Sequence, residues 1–467
     1  MSLHIQMPQG RESERRYILS VILGAFLGIE FTAEISDRTD WRLSADDDRE
    51  MIISDEFLSL PQKEWLRPES LPKQPLETLN IESTDIDATV VTPQIPVIFG
   101  KKSTRHSFIS VSECRIELGI DIFGSCFFML TRYEEAVKGD RDQHDRFPAS
   151  ASLAYQENFL DRPIVNEYLE ILWACLKRLW PGLKRKRREF RLLYSCDVDK
   201  PYKIPWLRYS ELCRHFAAEI FKATSPTGFC RLLLSSIQAK RGDVTNDPFN
   251  TFNALMTILE SNGYVGTFYF FADRTDSNLD GRYRLEDPLI TNLLRKIYKR
   301  GHEIGLHTTY HSYRSVTQTK KEFEHLEKYC KQEDIRQVRW GSRQHFLRWE
   351  TPTTLQNLED AGLDYDTSLT FADMAGFRCG TCYEYSTFNV RTRKALRLRE
   401  RPLVIMEGTV LDDCYMGIPV ESGEALDVMA EYKRICRMFS GDFTLLWHNN
   451  RLADPKELEL FSALLSA

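Results

Sequence analysis

Two apolar runs limit what this chain can become. The stretch 191–197 (Arg191-Leu192-Leu193-Tyr194-Ser195-Cys196-Asp197) and the stretch 264–271 (Tyr264-Val265-Gly266-Thr267-Phe268-Tyr269-Phe270-Phe271) are rich in aromatic and aliphatic residues without polar alternation. That is the pattern of strands buried on both faces. Between them, Asp247-Pro248-Phe249-Asn250 leads into an amphipathic helix over 254–260 that stops near Asn262-Gly263. The pattern continues with a helix at 288–300, a strand at 302–307, a helix at 319–333, a strand at 338–342 and a helix at 351–361. Strands alternating with helices predict a parallel sheet, hence an α/β fold, with its chemistry where the strands end.

The residues at those ends carry chemistry. His307-Thr308-Thr309-Tyr310-His311 follows the strand 302–307. Two imidazoles four apart converge if the chain turns helical there, and neutral imidazole is a common ligand for zinc-like ions. A third ligand is available upstream, where Asp197-Val198-Asp199 ends the first strand. Carboxylates two apart on a strand share a face, so one can bind an ion while the other moves protons. Two His and one Asp leave coordination positions open, as a catalytic site requires.

Taken in order, these segments resemble the motifs of the polysaccharide deacetylases, carbohydrate esterase family 4. The matching stretches are Asp197-Val198-Asp199, His307-Thr308-Thr309-Tyr310-His311, Arg343-Gln344-His345-Phe346, Tyr365-Asp366-Thr367-Ser368 and Leu446-Trp447-His448. The first carries an inserted valine, and the third lacks the family's proline and following glycine. The resemblance implies a distorted (β/α) barrel over 189–467, behind a separate α+β domain at 1–188. It further implies one divalent ion, zinc first, on Asp199, His307 and His311, polarising an acetyl carbonyl and activating water. Asp197 would be the base, with Arg343 orienting it. His448 would be the acid, held by Asp366, with Glu407 in Val404-Ile405-Met406-Glu407 as the rival partner. The Phe346 backbone N–H would serve as an oxyanion donor. The substrate implied is an N-acetylated sugar or oligosaccharide precursor of a surface polysaccharide.

Other features bound the reading. The segment 376–383 (Gly376-Phe377-Arg378-Cys379-Gly380-Thr381-Cys382-Tyr383) has no second Cys-x-x-Cys to complete a zinc knuckle, so Arg378 and Tyr383 are read as sugar contacts on a pocket loop. The basic run Lys184-Arg185-Lys186-Arg187-Arg188 marks the junction of the domains. With a net charge of -6 it is read as a solvated linker, not a nucleic-acid patch. The N-terminal part resembles a module found ahead of deacetylase domains in bacterial proteins associated with surface polysaccharides. Within it, 121–135 and 166–176 are read as helices, 89–91 and 97–99 as short strands, and the charged cluster from Asp140 to Arg146 as a solvated loop. Eleven scattered cysteines suit a reducing cytoplasm, the inner face of the membrane included. The apolar stretch 17–28 is too short to span a membrane and is read as a core helix. Two further classes remain open: a metal-dependent amidase acting on a small non-sugar amide, and a glycan-binding protein without turnover.

Overall fold

The computed structural model describes residues 1–102, 107–207, 210–211, 237–239 and 241–466. Two sheets organise them. The N-terminal sheet has six strands in the order Phe31–Ile35, Leu3–Met7, Asp40–Ser44, Glu50–Ser54, Arg115–Leu118, Ile109–Val111, mixing parallel and antiparallel pairs. Helix Ile122–Leu130, apolar all round and fully buried, packs under it with Ile164–Leu179. An aromatic cluster of Phe57, Phe99, Phe127, Phe128 and Tyr133 fills the space below the sheet. The apolar stretch expected as one helix is Glu12–Leu19 continuing as a π-helix, Ser20–Leu27, closed by Gly28 at φ 68°. The helix expected at 121–135 breaks at Arg132, whose φ is 51°. No strand forms at 89–91; the local hairpin instead pairs Glu77–Asn80 with Gln94–Val97.

The second sheet has nine strands in the order Tyr385–Asn389, Lys394–Glu400, Tyr365–Asp366, Gly341–Gln344, Glu303–Thr308, Gly266–Phe271, Arg191–Asp197, Asp442–Leu446, Ile405–Met406. Every neighbouring pair is parallel except the first. The order has two free ends, so the (β/α) barrel is a half-barrel. Gly266–Phe271 and Asp442–Leu446 are buried at every position, as apolar strands covered on both faces should be. Helices follow the strands where the sequence places them, at Pro288–Lys299, Val316–Gln332 and Thr353–Ala361. Pro288 sits in the first helical turn, where its missing N–H costs nothing. Gly305 lets the sheet close up, because a Cβ there would meet the Tyr269 ring at 2.3 Å.

Candidate metal centre and active site

Five of six consecutive strands deliver the site at their carboxyl ends, Gly266–Phe271 being the sixth. Asp197 ends Arg191–Asp197, with Asp199 two residues on. His307 lies in Glu303–Thr308 and pairs in register with Arg343. His345 follows Gly341–Gln344, Glu407 follows Ile405–Met406, and His448 follows Asp442–Leu446. A cavity of about 260 Å³ is lined by Asp197, Asp199, His307, His345, Glu407 and His448.

The hydrogen bonds behind two rings settle their tautomers. His307 Nδ1 lies 2.9 Å from the Arg343 carbonyl oxygen, which can only accept, so Nδ1 carries a proton and, in the neutral ring, Nε2 is the lone pair. His345 Nδ1 lies 3.0 Å from Asp280 Oδ1, with the same consequence. Both Nε2 atoms face Asp199 Oδ1, at 3.1 Å from His307 and 3.8 Å from His345. Asp199 Oδ1 and His307 Nε2 are buried without a hydrogen-bond partner. Acceptors turned toward one another in a buried place are costly unless a proton or a metal cation lies between them. Tetrahedral zinc, with bonds of about 2.0–2.1 Å, holds its ligand atoms about 3.3 Å apart. The donor set fits a divalent ion. Burial alone would raise the Asp199 carboxyl, but His345, His307 and His448 outweigh it and hold it well below the usual carboxylate range. Burial lowers His307, yet Asp197 and Asp199 outweigh it and raise the ring above its ordinary value.

The structure does not bring His311 to this group. Its side chain is 56% exposed and its Nε2 lies 3.7 Å from Asp276 Oδ2. The helical turn expected after His307 does not form, because the strand runs on through Thr308 and the next backbone groups are taken individually. Thr309 N donates to Glu322, Tyr310 N to Asp280 Oδ1 and His311 N to Thr275 Oγ1. Those bonds pin Thr309 to the helix Val316–Gln332 and 310–311 to the 275–280 loop, and turn His311 away. The same Asp280 that anchors Tyr310 orients His345, and that residue joins Asp199 and His307.

Asp197 and Arg343 lie near one another without a hydrogen bond between them. Arg343 Nη1 is 3.9 Å from Asp197 Oδ2, and Nη2 donates to Ser195 Oγ at 3.0 Å from a fully buried position. Asp197 Oδ2 is also 3.8 Å from His307 Nε2. His448 pairs with Glu407, not Asp366: its Nδ1 is 2.5 Å from Glu407 Oε1, which also accepts the His448 backbone N–H at 2.9 Å. Burial would depress that ring, but Glu407, then Asp199 and Asp197, push it up to about 10. Asp366 instead accepts from Ser342 and Ser368, both at 2.9 Å, and burial lifts its carboxyl to about 6. Phe346 lines the cavity at φ 57° and ψ 14°, followed by Leu347 at φ 57°. Two consecutive non-glycine residues in the left-handed region cost about 1–3 kcal/mol each and need support from their surroundings.

Arg378 and Tyr383 do not line this cavity. Arg378 donates to Glu135 at 2.6 and 2.9 Å and to the Thr370 carbonyl, buried between the two domains. Tyr383 donates to the Phe439 carbonyl at 2.6 Å, with the Arg188 guanidinium over its ring. Substrate contacts were expected of both, but their polar groups are spent on the protein itself. Cys379 and Cys382 are buried free thiols.

Residues 245–365 match the model of the polysaccharide deacetylase family. The chain carries a polysaccharide deacetylase domain. The match over this segment implies a hydrolase that deacetylates a polysaccharide. Residues 3–181 match a family of unknown function, DUF7033. No curated protein matches the chain. Among solved structures, the chain is similar to a Mycobacterium smegmatis protein assigned as a polysaccharide deacetylase, at 16% identity, covering 60% of this chain and 84% of that one with a TM-score of 0.36. It is also similar to Puue allantoinase, at 13% identity, covering 62% and 85% with a TM-score of 0.34. A Bacillus cereus polysaccharide deacetylase aligns at 10% identity over 60% and 86%, with a TM-score of 0.25. Superpositions this loose carry no residue roles across.

Proposed function

We propose that this protein removes an acetyl group, N-acetyl first, from a sugar of a surface polysaccharide or its precursor, using a divalent ion held by Asp199, His307 and His345. One observation carries the reading: two imidazoles with their protons committed elsewhere turn bare Nε2 atoms onto one buried carboxylate oxygen. The ion, zinc first, supplies Lewis acidity toward the acetyl carbonyl and toward water. The remaining steps fall to the chain. Asp197, braced by Arg343, takes the proton from the attacking water. His448 gives a proton to the departing sugar amine, and Glu407 holds its tautomer. The Phe346 N–H steadies charge on the carbonyl oxygen. The catalytic unit is 189–467, starting just before the strand Arg191–Asp197, and 1–188 forms the second domain. Free thiols at all nine described cysteines support a reducing, cytoplasmic location. Among the described residues no helix is long and apolar enough to cross a membrane.

The test is metal content read beside acetate release from N-acetylated sugars, sugar nucleotides and oligosaccharides. Wild type should hold one divalent ion per chain and release acetate, and His307→Ala should lose both. Asp197→Asn should keep the ion and lose about 10²–10⁴ in kcat. Full activity in Asp197→Asn would remove the base assignment, and failure to bind zinc on reconstitution would sink the site.

A further inference from the structure

The loop 140–148 of the N-terminal domain, read from the sequence as solvated, reaches into the cavity. Arg146 lines it beside His307, His345, Phe346 and Tyr415. The Arg146 side chain is 7% exposed. Its Nε donates to Asp142 Oδ2 at 2.7 Å, its Nη1 to the Phe346 carbonyl at 3.2 Å, and its Nη2 to the Tyr415 hydroxyl at 3.2 Å. The His144 ring packs on Phe346 at 4.6 Å between centroids, and its Nδ1 lies 3.0 Å from the Tyr310 hydroxyl. The same segment is clamped from the other domain: Arg348 Nε donates to the His144 carbonyl at 2.8 Å, and Asp145 receives Arg314 at 2.6 Å and the Tyr313 hydroxyl.

These contacts converge on one strained element. Phe346 and Leu347 both sit at φ 57°, directly after His345, in a conformation that side-chain-bearing residues leave when released. Arg146 grips the carbonyl of the first, and His144 covers its ring. The turn is therefore held in place by the other domain. We propose that Arg146 is a positioning residue: through the Phe346 carbonyl it locks the Phe346–Leu347 turn, and so the N-terminal domain completes the deacetylase site. This rests on the catalytic reading above only for its effect on rate; the effect on the turn stands apart from it. A segment serving only as domain glue would alter stability without a local signature at the hydrogen bond that closes the turn, from the Arg348 N–H to the His345 carbonyl.

The experiment uses the full chain as wild type, Arg146→Ala and Arg146→Lys. Amide hydrogen exchange over 344–348 is followed in metal-free and zinc-loaded protein, alongside zinc affinity by chelator competition and kcat and KM for acetate release. Arg146→Ala should speed exchange at least tenfold at Arg348, whose N–H closes the turn by donating to the His345 carbonyl at 3.2 Å, while the flanking strands keep wild-type protection. Zinc affinity should hold within threefold, because the ring of His345 is fixed by Asp280 and not by Arg146. The rate should show a 10- to 100-fold loss in kcat at little-changed KM, with Arg146→Lys recovering part of both effects. Wild-type exchange at the Arg348 amide overturns the proposal, as does exchange raised equally across the sheet. If Arg146→Ala does not fold, the same comparison is made with Arg146→Lys. Absence of acetate release in wild type would count against the catalytic reading, and the exchange data would still decide the role of Arg146.

Discussion

His345 and His311 both follow strands of the same sheet, and only one has a carboxylate seated behind its ring. Asp280 accepts from His345 Nδ1 and so fixes which nitrogen is free and where it points. His311 has its ring in solvent near Asp276, with no such brace. Sequence spacing favours His311, whose motif is intact, over His345, which occupies the place of a proline. The backing group decides between them, because a ligand needs a held tautomer as much as a nearby ion.

Four measurements can break or sharpen that contrast. His345→Ala should remove the bound ion and reduce acetate release by at least about 10³-fold, near background; an unchanged metal content would return the third position to His311. Asp280→Asn keeps the side chain's shape but replaces the carboxylate acceptor, and zinc affinity should fall about 10- to 100-fold while the domain stays folded. A third test is acid stability. Burial raises the Asp280 carboxyl, but His345 and the backbone N–H groups of Asp276 and Tyr310 bring it down to about 2. A depressed carboxylate adds stability that is complete above its unfolded pKa of about 4 and is lost as pH falls toward 2, here about 2 kcal/mol. Metal-free wild type should thus show a steeper fall in Tm between pH 4 and 2 than Asp280→Asn, and parallel curves would remove Asp280 from the account. The smallest effect belongs to His311→Ala, where kcat/KM and zinc content should stay within twofold.

Much of the architecture is legible along the chain, for reasons visible in particular elements. The strand Arg191–Asp197 and the helices beginning at Pro288 and Thr353 carry periodic or buried-strand patterns long enough to locate. Asp199, His307 and His448 lie at or just beyond strand ends, where parallel sheets place chemistry, and all three line the cavity. What the sequence hides depends on contacts between distant segments. The turn at 346–347 has no glycine or asparagine to announce its left-handed backbone, so nothing local signals that His345 swings inward. Asp280 stands in a loop whose partner lies 65 residues away. Glu407 was visible as a strand-end carboxylate, but only its 2.5 Å contact with His448 separates it from Asp366. The loops 140–148 and 376–383 exchange roles for the same reason. Charge suggests a wet loop and arginine suggests a ligand contact, yet Arg146 is drawn to the cavity while Arg378 is consumed by Glu135.

That last pair has a consequence for anyone dividing the chain. Glu135 holds Arg378, and Arg132 reaches the Arg378 carbonyl as well as Glu135, all in a dry seam. Removing one member of such a pair strands the other at a cost of about 3–5 kcal/mol. The basic junction 184–188 invites a cut, but a fragment starting there would keep the arginine and lose its counter-charge. Swapping front modules between homologues would then succeed only when an acid at 135 and an arginine at 378 are inherited together, which makes the pair a compatibility lock for the chimaera builder.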